Sequence, residues 1–192
     1  MATAREFQRC ALVIGVLSTI EDKREDIIKT LEKEFGPIEA ASPVLEFSYT
    51  DYYDSEMGQR PVRYLLLFEN LVDPSDLADI KTETNEIEKT FADENGNRRV
   101  NLDPGTLSLA NFILATCKDR SHRIPLRDGI YGETTLIYQD HDFQAFPWTY
   151  ADYRSDEIRA ILRSFRDTYR KKIKENKKNV PRFQIFSAVF LL

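Results

Sequence analysis

Apolar positions along this chain change their spacing several times, and each change marks an element. Cys10 to Leu17 is a continuous apolar run with β-branched residues, bounded by polar ones, which predicts a buried strand. Over Glu21 to Phe35, the residues Ile27, Ile28, Leu31 and Phe35 fall on one helical face, and Gly36-Pro37 supplies a stop signal. Val44 to Tyr52 alternates. Leu45, Phe47 and Tyr49 lie on one side and Ser48, Thr50 and Tyr52 on the other, so a strand with two unlike faces is expected. A loop from Glu56 to Pro61 precedes another apolar strand, Val62 to Phe68. Asp73-Pro74 then opens a helix: Asp73 suits the cap, Pro74 the first turn, and Asp76 the positive end of the dipole. Leu77, Ile80, Thr84, Ile87 and Phe91 recur at helical spacing. Asn95-Gly96 signals a tight turn, and Arg98 to Asp103 reads as a strand that Pro104-Gly105 ends.

That order is β-α-β-β-α-β, the ferredoxin-like arrangement, with four antiparallel strands and both helices on one face. Later chain is then expected to cover the other face. It reads as a strand at Phe112 to Thr116, a short edge at Ile124 to Leu126 marked by Pro125, and a strand at Ile130 to Tyr138. A turn at Asp140-His141-Asp142, a return strand at Phe143 to Trp148 and a last helix at Ser155 to Lys174 follow. Ile158, Ile161, Leu162, Phe165, Tyr169 and Ile173 form that helix's apolar stripe. The expected class is therefore α+β with a mostly antiparallel sheet. One domain over 1–176 comprises a ferredoxin-like half (10–105) and a half of strands plus a final long helix (106–176), with a tail of different character over 177–192.

Composition narrows the function classes. The 192 residues carry a formal net charge of −5, which argues against a surface built wholly to hold nucleic acid and leaves a local basic patch open. Arg166 to Lys178 is the basic stretch that would serve as one. No apolar run approaches the ~18 residues of a membrane span, and the first residues lack a signal-peptide core, so a cytoplasmic protein without a membrane partner is expected. The two cysteines, Cys10 and Cys117, lie in apolar contexts without a CxxC pair and read as reduced, buried thiols. Oligomeric state leaves no mark on the pattern.

The chemistry begins with absences. No GxxxxGK[ST] loop, GxGxxG or HExxH is present, and with only His122 and His141 no zinc site is evident. A carboxylate-held divalent metal stays open. Strand parity then picks out Arg99, Asn101 and Asp103, which share one face, with Val100 and Leu102 turned to the helices. A guanidinium, an amide and a carboxylate so aligned suit a small anionic or nucleotide-like ligand. On the long central helix Lys81, Thr84, Asn85 and Glu88 form a polar stripe in which Thr and Asn are poor helix formers. His122 and Arg123 precede a strand whose face bears Tyr131, Glu133 and Thr135, and His122 suits acid–base work near neutral pH. Trp148 and Tyr150 in the linker Pro147-Trp-Thr-Tyr-Ala-Asp-Tyr153, with Tyr52 and Glu56 in the earlier loop, offer stacking surface and polar tips.

Six segments resemble one uncharacterised bacterial family, domain of unknown function 4416. They are Thr50-Asp-Tyr-Tyr-Asp-Ser-Glu-Met-Gly58, Lys81-Thr-Glu-Thr-Asn-Glu-Ile-Glu88, Asn101-Leu-Asp-Pro-Gly105, Leu114-Ala-Thr-Cys-Lys118 with His122-Arg123, Gly129-Ile-Tyr-Gly-Glu-Thr-Thr-Leu136, and Pro147-Trp-Thr-Tyr-Ala-Asp-Tyr153. The resemblance implies a family and no function. From the residues, the expectation is a pocket on the sheet face away from the first two helices. Arg99 and Arg123 would hold negative charge, and Asn85 and Asn101 would orient the ligand. Asp103, Glu133 and Glu88 would bind a metal or act as acid and base, with Asp103, Glu133 and His122 as the catalytic set of a hydrolase or transferase. The alternative is a non-catalytic module that binds RNA or protein through the aromatic linker and the basic last helix.

Overall fold

Strand β1 (Cys10–Ser18) is buried at every position, as a central strand covered on both faces must be. The computed structural model describes residues 3–49, 57 and 61–179. In it β1 pairs antiparallel with β4 (Val62–Val72) on one side and with β5 (Val100–Leu107) on the other. Strands β2 (Ile38–Ala41) and β3 (Leu45–Glu46) pair with β4. Beyond β5 the sheet continues through β6 (Asn111–Thr116) and β8 (Ile130–Gln139) to the edge strand β7 (Ile124–Arg127). A final short strand, β9 (Asp142–Ala145), pairs with β8. The sheet has nine strands in the order β2-β4-β1-β5-β6-β8-β7, with β3 and β9 off that path, and every pairing among the described residues is antiparallel.

Parity along β1 divides two cores. Leu12, Ile14 and Val16 face α1 (Arg24–Phe35) and α2 (Leu77–Thr90), meeting Ile27, Leu31, Ile80 and Ile87. Val100 and Leu102 join this side, as the alternation of β5 requires. Ala11 and Val13 face the other way, toward Leu162, Phe165 and Tyr169 of α3 (Asp156–Asn179). The last helix therefore covers the face that the first two leave open. Among the described residues no helix is long and apolar enough to cross a membrane.

The structure departs from the sequence reading at several elements. Strand β5 runs through Pro104-Gly105 to Leu107. The Leu102 N–H points to the outer edge of β5, away from β1, and alternation sends the nitrogen of Pro104 the same way. Strand β6 pairs only with Gly105 to Leu107, so no ladder bond is missing at Pro104. Gly105 fits because a Cβ there would lie 2.7 Å from the Phe112 ring and 2.8 Å from the Ile113 carbonyl. Of the strand expected over Val44 to Tyr52 the described residues form only the two-residue β3, and β2 precedes it where none is expected; Thr50 and Tyr52 lie outside the described residues. The return strand after the Asp140-His141 turn stops at Ala145, and both turn residues have positive φ. Helix α3 extends past Lys174 to Asn179, and the rest of the tail lies outside the described residues.

Candidate functional site

The site arises where the sheet splits. Strands β5 and β6 pair over three residues, so Val100 to Pro104 and Ala115 to Thr116 have no partner in each other. Between them opens a cleft of about 450 Å³. Its walls include Asn101 and Asp103 of β5, Leu114 to Lys118 at the end of β6, Glu133 of β8, Lys81 and Asn85 of α2, Phe47 and Tyr49 after β3, and Tyr150 to Tyr153 of the linker before α3.

An unpaired strand edge next to a cleft leaves backbone groups in need of partners. Two side chains of α2 supply them. Glu88 Oε1 accepts from the Leu102 N–H at 2.7 Å, and Lys81 Nζ donates to the Leu102 carbonyl at 2.7 Å. Lys81 and Glu88 are both buried, with Nζ and Oε1 3.6 Å apart. Glu88 therefore does not line the cleft; it closes the strand edge behind it. Burial raises its carboxyl above the ordinary value, opposed by Lys81, the Leu102 N–H and Arg98.

From Glu88 a chain of hydrogen bonds crosses the cleft floor. Arg98 reaches Glu88 Oε2 at 3.5 Å and donates to Asn101 Oδ1 at 2.9 Å. Asn101 Nδ2 donates to Asp103 Oδ1 at 2.9 Å, which fixes the orientation of its amide. Arg63 donates to Asp103 Oδ2 at 2.8 Å and, through its other terminal nitrogen, to Asp152 Oδ2 at 2.7 Å. The side chains of Arg63 and Asp152 are each 5% exposed and that of Asp103 23%. The guanidinium carbon of Arg63 lies 5.6 Å from the Phe47 ring centre and 5.4 Å from that of Tyr153. Gly15 makes room: a Cβ there would sit 2.5 Å from the Tyr153 hydroxyl oxygen and 3.1 Å from Arg63. Burial would raise the Asp103 carboxyl, but Arg63 and Lys81, with hydrogen bonds from Arg63 and Asn101, hold it below the ordinary carboxylate value. Burial acts to lower the Arg63 pKa, and Asp152, Tyr153 and Asp103 together hold it well above its ordinary value, so Arg63 stays charged.

A second cluster stands on the opposite wall. Glu133, 1% exposed, accepts from Arg123 Nε at 2.7 Å and lies 3.0 Å from His122 Nε2, both through Oε2. Arg123 also donates to the Lys118 carbonyl at 2.8 Å and to the Tyr150 hydroxyl at 2.9 Å. One guanidinium thus ties β8, the end of β6 and the linker together. The ring of Trp148 stacks between His122, at 5.0 Å, and Phe146, at 4.7 Å, and its Nε1 donates to the Thr134 carbonyl.

The structure thus brings Asn85, Asn101, Asp103, Glu133 and Tyr150 to one cleft. His122 and Arg123 stand behind Glu133, and Trp148 stands behind His122. Arg99 turns away. It precedes the strand, so strand parity does not govern it; its Nε donates to Thr19 Oγ1, and the neighbouring Arg98 lines the cleft instead. Phe47 and Tyr49, not Ser48, face the cleft. Cys10 is buried, but Cys117 is exposed and lines the cleft, because it lies just past the end of β6. Tyr52 and Glu56 lie outside the described residues. Among the described residues no three His, Cys, Asp or Glu side chains group to hold a metal, and both oxygens of Asp103 are already engaged.

Arg63 and Asp152 were legible only as anomalies. A charge inside Val62-Arg-Tyr-Leu-Leu-Leu-Phe68 and a lone carboxylate in an aromatic linker are the two signals that each needed a buried partner.

A family model described as "Domain of unknown function (DUF4416)" matches residues 8–169. No curated protein and no solved structure matches the chain.

Proposed function

The chain belongs to the DUF4416 family, and we propose that its cleft binds a small anionic, nucleotide-like molecule. The observation that carries this reading is the make-up of one cavity. About 450 Å³ of space is bounded by Phe47, Tyr49, Tyr150 and Tyr153 together with an ion-paired floor. That volume falls in the range of small-molecule sites, and apolar walls with a few fixed polar groups are their usual form. The polar groups are held in place before any ligand arrives: Asn101 by Arg98 and Asp103, Glu133 by Arg123 and His122. Such preorganisation lowers the ordering cost of binding.

If the protein is a hydrolase or transferase, Glu133 with His122 and Asp103 are the acid–base candidates. Arg63 holds Asp103 below the ordinary carboxylate value, so at neutral pH it can accept a proton but has none to give. The reading as an RNA-binding module finds less support. Of the basic stretch beginning at Arg166, Arg166 lies over the Tyr138 ring and Lys172 pairs with Glu39, whereas Arg170, Lys171 and Lys174 are exposed.

A thermal-shift screen against nucleotides, sugar phosphates and divalent ions tests the proposal. A ligand at 100 times its Kd stabilises by ~2.7 kcal/mol, which for a chain of this size is roughly 5–10 °C. Stabilisation by at least one anionic compound is expected. A well-folded protein that none of them stabilises contradicts the reading.

A further inference from the structure

Which anion the cleft would take can be read from its charges. Among the described residues four cations line it, Arg63, Lys81, Arg98 and Lys118, against three carboxylates, Asp103, Glu133 and Asp152, an excess of one positive charge. The two buried cations are already engaged, Arg63 by Asp103 and Asp152, and Lys81 by the Leu102 carbonyl and Glu88. Among the described residues no glycine lines the cleft. The backbone N–H cradle by which glycine-rich loops receive consecutive phosphates therefore has no counterpart among the described residues. A phosphate monoester carries about −1.5 to −2 charges at neutral pH. Each further phosphate would add negative charge beside three carboxylates without a matching donor.

The rim supplies the second half. Tyr49 and Tyr150 are each 43% exposed, yet both face the cleft from different segments of the chain. Each has a fixed support. Tyr49 leans edge-on against Phe47 at 5.6 Å, and Tyr150 is held at its hydroxyl by Arg123. Two supported, half-open rings at one mouth offer stacking surface to a flat group.

We propose that the cleft takes a molecule with one phosphate-like group and one flat ring, stacked on Tyr49 and Tyr150, and that it discriminates against di- and triphosphates. This rests on the anion-binding reading above. The class it names is the nucleoside monophosphate.

Isothermal titration of the full chain at fixed ionic strength tests it, with the four common nucleoside monophosphates, their di- and triphosphates, ribose 5-phosphate and inorganic phosphate as probes. At least one monophosphate should bind about ten-fold or more tightly than ribose 5-phosphate, the gain of one stacked ring. The same nucleoside should bind more weakly as di- and triphosphate. Tyr150→Leu and Tyr49→Leu should each reduce the ring's gain, and Tyr150→Phe should reduce it less, since the ring stays while its hold on Arg123 is lost. Both tyrosines are exposed, so these variants are expected to fold. A triphosphate that binds more tightly than its monophosphate overturns the charge inference. Ribose 5-phosphate binding as well as every monophosphate overturns the ring inference, while the anion reading survives. If none of the probes binds, inorganic phosphate included, the anion reading itself fails.

Discussion

Replacing Arg63 by methionine removes the charge at the centre of the cleft floor while keeping an unbranched chain between Phe47 and Tyr153. Removing one member of a buried ion pair costs ~3–5 kcal/mol, because the other charge is left without a partner. Asp152 is as buried as Arg63 and falls in that range; Asp103 is partly solvated and adds less. The expected loss at neutral pH is ~4 kcal/mol, a large share of the ~5–15 kcal/mol that holds a domain folded. The loss should also depend on pH. In the native protein Asp103 lies below its ordinary value of 3.8, so it contributes stability above that pH and loses it as pH falls through its lower folded value. Without Arg63 the main opposition to burial is gone and that contribution largely disappears. The gap between the two proteins should therefore hold from neutral pH down to about 4 and narrow as pH falls below 3.8 through the lower folded value of Asp103. Urea titrations at several pH values, followed by the fluorescence of Trp148, the chain's single tryptophan, measure it. Adding Asp103→Asn and Asp152→Asn to Arg63→Met should recover much of the loss, since no buried charge then lacks a partner. A single-variant loss below ~1 kcal/mol at neutral pH, or one that stays constant as pH falls well below 3.8, would refute the reasoning.

Three further substitutions probe the same framework. Gly15→Ala would press a methyl against the buried Tyr153 hydroxyl, 2.5 Å away, and should cost ~1–3 kcal/mol in urea unfolding; an unchanged midpoint would contradict the close packing. Glu88 has a folded pKa above its ordinary 4.5, so the native state holds its proton more tightly than the unfolded chain does. The wild type should lose stability relative to Glu88→Gln as pH rises from 4.5 through that higher folded value, and a relative gain over the same window would reverse the sign and sink the assignment. Arg123→Lys keeps the charge but cannot serve Glu133, the Lys118 carbonyl and the Tyr150 hydroxyl from one planar fork, so a loss of ~1–2 kcal/mol is expected in thermal melts.

Much of the frame was legible in the sequence because burial imposes a period. The apolar run of β1, the alternation at Val100 and Leu102 and the stripe of α3 each named a face, and the structure packs each on that face. Strand parity likewise assigned Asn101 and Asp103 to the cleft, since they sit inside a regular strand. It failed for Arg99, which lies one residue before the ladder begins. It failed again at Pro104, which normally ends a strand but here occupies an edge position that needs no N–H. What pattern reasoning could not reach were long-range pairings. Arg63 and Asp152 are 89 residues apart, and no spacing rule joins them. The exchange of a missing strand neighbour for Lys81 and Glu88 also depends on where α2 crosses β5, which local periodicity does not specify.

The claim that this cleft is the ligand site is tested most directly by following the side-chain amide signals of Asn85 and Asn101 by nitrogen-15 NMR during titration with a nucleoside monophosphate. Both amides line the cavity, and Asn101 is fixed by Arg98 and Asp103. The account predicts that both signals move in step with saturation, together with the backbone signals of Ala115 to Lys118. A compound that binds while those signals stay still, and others far from the cleft move, would contradict it.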